Sequence, residues 1–460
     1  MLFPIIAALF IAFLFHEFYW KRRHLPAGPL PLPLVGNCLT LFAKGDNPWV
    51  AGLQKWKNEY GSIFTYWVGT IPIVSVNDLQ TIQEMFVADG DNYSDRASFS
   101  GIANDFKGGD YGVIETSGYL WRENRRFSLH AMRDFGLGKK EMQERARSLM
   151  ETFEAEGLKG PLSPMTYLDQ TVASVINVVL FGFRFDETNS HEFRKIRDIM
   201  DQQAKELSSA FVFLFLDKKM IRDRIPYLKR KYELLMSTKE LMHDFFQRNI
   251  GEHKRTFDYE SPENFDYCEA YLKEIKKREN DPDSVFHEKQ LIAMFIDLWV
   301  AGMETTASTM AWGVVLLLHH PEEVQRWANI IPQNMIRKVS KDVTVKGHLI
   351  RAGTVISPQI SLLLYDPEVF PNPFHFDPTR FLDDKGNVSL PKQFLPFSIG
   401  RRQCLGEGLA KMELFLFMAN IAHRFDITTD NELPSLKKVL NTGTKPLPFT
   451  CNLKKRTVNT

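Results

Sequence analysis

The sequence predicts a mainly α chain with a small β part, folded as a single globular domain behind an apolar N-terminal segment. Three observations carry this. Helical periodicity dominates from Asn47 onward, strand-like stretches are few, and residues 1–20 are apolar almost throughout. At 460 residues the chain is long enough for a large core, and 44% hydrophobic with 25% charged residues is an ordinary globular balance. Lys and Arg number 57 against 56 Asp and Glu, a net charge of +1, so nothing points to nucleic acid. The 36 Phe suit an apolar interior with lipophilic contents.

The elements follow in order. Residues 1–20 give about the 20 positions a spanning helix needs. Tyr19 and Trp20 suit a membrane interface, and Lys21-Arg22-Arg23 after the span argues for a cytoplasmic C-terminal side. A cleaved signal peptide fits less well, because no basic n-region and no small-residue cleavage site is evident. Residues 21–37 are basic and then proline-rich (Pro26, Pro29, Pro31, Pro33), which predicts an extended strap. Residues 38–460 form the main domain.

Within it, strands are expected at Ser62–Val68 and Ile71–Val76, with a hairpin over Val343–Ile356 turning near Lys346-Gly347. Amphipathic helices are expected at Glu141–Glu156, Tyr167–Phe181 and Arg194–Ser209. Gly251–Asp283 reads as a charged, loop-rich stretch. Phe286–Leu318 is apolar nearly all round, so it predicts a long helix inside the core.

Four cysteines stand far apart, at positions 38, 268, 404 and 451, with no CxxC pair. Neither a zinc site nor a disulfide framework is suggested. Cys38, Cys268 and Cys451 read as incidental thiols. Cys404 has a chemical context: Phe397-Ser-Ile-Gly-Arg-Arg-Gln-Cys404-Leu-Gly406 leads into the apolar helix Leu409–Ala422. Free N–H groups and the dipole at a helix N-terminus favour a thiolate. Gly400 and Gly406 would let the backbone curl round the sulfur, and Phe397 would shield it from water. A thiolate so placed suits an iron porphyrin, on which it pushes electron density that favours O–O cleavage.

Inside the long helix stands Ala301-Gly302-Met-Glu304-Thr305-Thr306. Glycine and β-branched threonines weaken a helix, and a threonine hydroxyl can bond back to the i−4 carbonyl. This patch reads as an opening for oxygen over Gly302, with Thr305 as hydrogen-bond donor and Glu304 as proton relay. A small-residue packing notch is the alternative. Trp121 and Arg125 share one helical face at i and i+4. Arg125 could pair a porphyrin carboxylate, with Arg337 and Arg402 as further cations, because lone buried charges are costly.

Together these residues resemble the cytochrome P-450 superfamily, specifically its animal microsomal, lipophile-oxidising branch. The resemblance covers nearly the whole chain and includes Pro378-Thr-Arg380-Phe381, Leu180–Phe185 and Tyr365–Pro373. It implies haem b held by Cys404, with Glu304 and Thr305 as the proton-delivery pair and Arg380 in a Glu–Arg–Arg network behind the haem. It implies oxygen insertion into a small lipophilic substrate, electrons from NADPH through a flavoprotein reductase, and an endoplasmic reticulum membrane location with the catalytic domain cytoplasmic. Arg122, Arg126, Lys139 and Lys140 are candidates for docking that reductase. Substrate contacts would come from Ser98–Phe106, Glu206–Phe215, Phe295–Thr305 and Ile336–Val339.

One departure stands out. Glu323-Val-Gln-Arg326 has the family's Glu-x-x-Arg spacing, yet it follows Thr306 too closely. His319–Glu323 resembles text just after the long helix, and Gln325–Pro332 resembles the end of a later one. Two distant passages therefore read as joined near Val324, with roughly 40 residues absent, about two or three helices of ordinary length. On that reading Arg326 is the genuine arginine and Glu323 an accidental stand-in. Loss of the network would cost about 3–5 kcal/mol. The chain could then be a splice variant or remnant of an active enzyme. A haem-thiolate isomerase or dehydratase is a third reading, which the intact Glu304/Thr305 pair disfavours. Arg351, where the family often has Pro, is a minor departure.

Overall fold

The computed structural model describes residues 2–43, 45, 47–97, 101–134, 139–157, 159–185, 189–207, 209–261, 263–319, 325–430, 432–440 and 444–456. The chain is mostly helical with a small β part, as the periodicity predicts.

The centre is the helix Glu288–His319. Leu291, Phe295, Trp299, Met303, Met310 and Val315 on it are fully buried, so apolar side chains all round it find neighbours on every side. It lies against helix Pro164–Phe181 and against helix Glu407–Arg424, the helix that follows Cys404. Trp299 Nε1 donates to Asn177 Oδ1 at 3.0 Å, which satisfies the indole N–H inside that packing.

The β part adjoins the start of the domain. A five-stranded sheet runs in the order Ile63–Val68, Ile71–Val76, Val355–Pro358, Arg337–Lys338, Asp95–Arg96. Only the pairing of Ile71–Val76 with Val355–Pro358 is parallel. The expected hairpin is shorter than its sequence span. It comprises Val343–Val345 and His348–Ile350, turned by Lys346 at φ 45° and Gly347 at φ 80°. Both turn residues are left-handed, the mirror-image turn that matches strand twist. Val355–Pro358 leaves the hairpin for the large sheet.

A second correction concerns Gly251–Asp283. The preceding helix Pro226–Thr256 extends into it, and Tyr267–Lys277 is itself helical. Asp266 caps that helix by accepting from Glu269 N–H at 2.9 Å, and Tyr267, Cys268 and Tyr271 bury its inner face.

At the N-terminus a helix spans Leu2–Phe15 and continues as a wider turn over His16–Trp20, with Leu9, Phe10 and Ile11 exposed. Its apolar run Pro4–Trp20 is shorter than a full span. Among the described residues, the helix long and apolar enough to cross a membrane is Glu288–Leu318, whose most apolar stretch is 78% buried in the protein.

Candidate functional site

Cys404 sits in a closed loop. Its N–H donates to Phe397 O at 3.0 Å, and Gln403 N–H donates to Gly400 O at 3.0 Å. Gly400 adopts φ +76°, and a Cβ there would lie 1.9 Å from Phe86 O. Only glycine fits that approach. Gly406 behaves differently from expectation: its φ is −89°, and a Cβ would meet nothing within 4 Å. The protein itself makes no demand for glycine there. Phe397 accepts the Cys404 amide and packs beneath Lys411, 5.6 Å from its ring centroid. The Cys404 side is open to solvent. Desolvation by the packed loop, helped by the charge of Glu407, raises its thiol overall, while the Gly406 N–H and Arg125 pull the other way.

Four arginines converge beside this loop. Arg337 donates to Ile399 O at 3.0 Å, and Arg125 donates to Gln403 O at 2.7 Å. Arg402 donates to Ser94 O at 2.6 Å and Thr116 O at 2.6 Å, with its guanidinium 3.8 Å over the Trp121 ring. Arg96, which sequence reasoning missed, lies directly opposite Arg337 in the antiparallel ladder. Like charges at such a position repel. Burial, reinforced by the neighbouring guanidinium groups, lowers Arg337 to about 9 and Arg402 to about 8. Arg96 falls to about 10, for burial first and Arg125 after it.

Some of the donors here have no protein partner. Arg337 Nε and Nη1 and Trp121 Nε1 are buried without an acceptor. Such groups are costly unless an acceptor arrives. The arrangement fits a flat group carrying two carboxylates, seated beside a thiolate, and haem has that form. Trp121, Arg125, Arg337 and Arg402 are brought together with Cys404, joined by Arg96.

The long helix runs unbroken through Gly302. Gly302 faces Ile176, whose Cδ1 would lie 2.9 Å from an added Cβ, so this glycine allows close packing of helix Pro164–Phe181. Thr305 Oγ1 donates to Ala301 O at 2.7 Å, the i−4 bond expected of it. Glu304 turns into a buried charge cluster. It accepts from Arg197 Nη1 at 2.6 Å and pairs with Lys445. Arg197 also holds Asp169 at 3.1 Å and Asp201 at 3.3 Å. Burial raises Asp169 to about 6 against the pull of Arg197.

Arg380 donates to Asp377 O at 2.8 Å, Pro371 O at 2.9 Å and His375 O at 3.1 Å, so it clamps the backbone of 371–377. Glu323 lies outside the described residues, as do Ser98–Ser100 and the side chains of Arg326, Lys139 and Lys140. The helix holding Arg326 is one turn, Gln325–Ala328. Its Trp327 is buried against Trp312 with centroids 5.1 Å apart. Arg122 and Arg126 are exposed.

A thiolate loop beside paired arginines, under a long core helix, defines a haem-thiolate class of protein. Comparison with known proteins agrees. The chain matches the family Cytochrome P450 over residues 26–322 and 322–452. It is 32% identical to Cytochrome P450 2A9 of Mesocricetus auratus over 475 positions, covering 94% of this chain and 93% of the relative. It is 33% identical to Cytochrome P450 2D3 of Rattus norvegicus over 477 positions, covering 94% and 93%. It is 32% identical to Cytochrome P450 2A1 of Rattus norvegicus over 499 positions, covering 100% and 98%. The chain therefore belongs to the cytochrome P450 family of monooxygenases, whose cofactor is haem. The family match comes in two pieces that meet at Glu322. The alignment with the rat 2A1 protein has 499 positions for the 460 residues here, so about 39 are filled only in the relative.

Proposed function

We propose that this chain is a membrane-anchored haem-thiolate monooxygenase that oxidises a small lipophilic substrate with electrons from NADPH, delivered by a flavoprotein reductase. Haem, when bound, supplies the oxygen-activating chemistry. Cys404 is the thiolate that holds it. Arg96, Arg125, Arg337, Arg402 and Trp121 hold its carboxylates. The observation that carries this reading is the buried, unpartnered donor set of Arg337 and Trp121 beside the Cys404 loop.

The remaining roles belong to this chain's own residues. Thr305 carries a hydroxyl on the substrate side of the long helix, and Glu304 is the carboxylate one residue before it. Arg197 and Lys445 hold the Glu304 carboxylate in place. Residues 1–20 anchor the chain in the endoplasmic reticulum membrane, residues 21–37 form the strap, and 38–460 face the cytoplasm. The exposed Arg122 and Arg126 belong to the reductase-docking face.

The two-piece family match favours one rival, a shortened form that folds without turnover. A carbon monoxide difference spectrum of the dithionite-reduced chain separates the two. The red-shifted Soret band of a thiolate-ligated haem is expected, and Cys404→His abolishes it. A histidine-type band or no haem in the unmodified chain refutes the proposal. Reductase and NADPH then test turnover in chains that show the thiolate band.

A further inference from the structure

The segment 112–117 has no part in the reading above, yet it ties the long helix to the arginines. Asp297 is 4% exposed on that helix. Its Oδ2 accepts from the amides of Val113 at 2.7 Å and Ile114 at 2.9 Å, and its Oδ1 pairs with the buried Lys107 at 2.6 Å. Gln290, two turns earlier, takes both backbone groups of Gly112, at 2.9 Å and 3.0 Å. Gly112 has φ +94°, and a Cβ there would lie 2.3 Å from Asp297 Oδ2, so the contact requires glycine.

The carbonyls from Val113 onward meet the arginines. Val113 O accepts from Arg402 at 3.3 Å and Thr116 O accepts from Arg402 at 2.6 Å. Ile114 O accepts from Arg96 Nε at 3.0 Å, and Ser117 Oγ accepts the Arg96 amide at 2.8 Å. The segment is thus a crosspiece with its amides on a carboxylate and its carbonyls on two guanidinium groups. The 113–114 peptide lies directly between opposite charges, its N–H on Asp297 and its carbonyl on Arg402, and in a buried site such charge-assisted bonds are strong.

We propose that Asp297 is a positioning residue for haem binding. It fixes the crosspiece, and the crosspiece fixes Arg402 and Arg96 where the haem carboxylates need them. Asp297 touches no cofactor itself. This rests on the proposed function only in taking those arginines as the carboxylate seat.

The test is the rate at which the full-length holoprotein loses haem to a globin acceptor. Asp297→Leu orphans two buried amides and is expected to speed the loss roughly tenfold or more. Asp297→Asn/Lys107→Met keeps an oxygen at the Oδ2 position and leaves no buried ammonium unpaired, so it holds loss within about threefold of the unmodified chain. Combined with Arg402→Lys, Asp297→Leu adds little further, because both act through one contact set. If Asp297→Leu does not fold, Asp297→Leu/Lys107→Met removes the unpaired ammonium and carries the same expectation.

Asn177→Leu is the control, since it breaks a buried bond to Trp299 on the same helix without touching the crosspiece. The inference is overturned if Asp297→Leu loses haem at the unmodified rate. It is also overturned if Asn177→Leu, matched for unfolding temperature, loses haem as fast. If the unmodified chain shows no thiolate band, metal-free protoporphyrin IX replaces haem as a fluorescent probe. It needs the arginines and not Cys404. Roughly tenfold weaker binding to Asp297→Leu then supports this inference while the proposed function fails. No binding to the unmodified chain overturns both.

Discussion

Glu413 allows a prediction whose sign and size both follow from the structure. It lies on helix Glu407–Arg424, is 3% exposed, and is hydrogen-bonded to Thr306 of the long helix. Burial raises its carboxyl from an ordinary 4.5 to about 8. In the unfolded chain the group is ionised above pH 4.5, whereas the folded chain keeps the proton until about pH 8. The folded state therefore binds more protons, and stability falls as pH rises through that window. At about 1.4 kcal/mol per pH unit, the cost is near zero at pH 4.5, roughly 3 kcal/mol at pH 7, and up to about 5 kcal/mol above pH 8. Glu413→Gln keeps the shape and a Thr306 partner but has no proton to hold. It is expected to match the parent near pH 4.5 and to exceed it increasingly toward pH 8. For a chain of this length 1 kcal/mol corresponds to about 1 °C, so the gap in unfolding temperature should open by about 3–4 °C between pH 5 and pH 8. Circular dichroism melts of both detergent-solubilised chains at the two pH values measure it. Parallel curves, with the same gap at both, would refute the reasoning.

The arginine quartet makes a prediction of opposite signs. Arg337→Leu removes a repelled, half-satisfied cation, so the haem-free chain should be unchanged or more stable, while haem affinity drops at least roughly tenfold. Melting curves with and without haem, and haem titration, check both halves. Trp121→Phe removes a donor without a protein acceptor, so the haem-free chain should melt within about 1 °C of the parent, while haem is lost faster by a factor of about 5–10. Arg197→Met strips the cation from Asp169 and Glu304 and should cost about 3–5 kcal/mol at pH 8. The cost should shrink at pH 5, where Asp169 takes up a proton, and unfolding temperatures at the two pH values report it.

Much of this site is local in sequence and therefore legible there. Cys404, Phe397, Gly400 and Arg402 stand within one loop, and Trp121 and Arg125 share one helical turn. Their chemistry needs no knowledge of tertiary neighbours. Arg96 was invisible because its meaning comes from strand register, which sets it opposite a residue 241 positions later. Asp297 reads in sequence as a stray acid in an apolar helix; its partners are two peptide N–H groups, which carry no sequence signal, and a lysine far back in the chain. Glu304 was found as a residue, but its clamp by Arg197 and Lys445 joins three distant segments. The helix Tyr267–Lys277 was hidden by the charged residues that flank its short apolar stripe. Gly406, by contrast with Gly400, has a φ of −89° that any residue adopts.

The seam at Glu322 bears less on the thiolate loop than the sequence suggested. The resemblance implies a Glu–Arg–Arg network behind the haem, whose loss would cost stability. Among the described residues the braces come from elsewhere. Phe86 packs against Gly400, Asp91 holds Arg401, and Ser94, Val113 and Thr116 accept from Arg402. Arg125 and Arg337 bind the carbonyls of Gln403 and Ile399. These braces come from residues 86–125 and 337, on either side of the seam and outside it. Arg380 instead clamps the carbonyls of 371–377. Past the seam, Trp327 meets Trp312 edge to face, Lys438 lies over the Trp327 ring at 4.1 Å, and Thr444 accepts the indole N–H of Trp312 through its carbonyl at 3.1 Å. The shortened passage is thus sealed by aromatic packing at the end of the long helix. A defect among these aromatic contacts acts first on the stability of that end of the long helix.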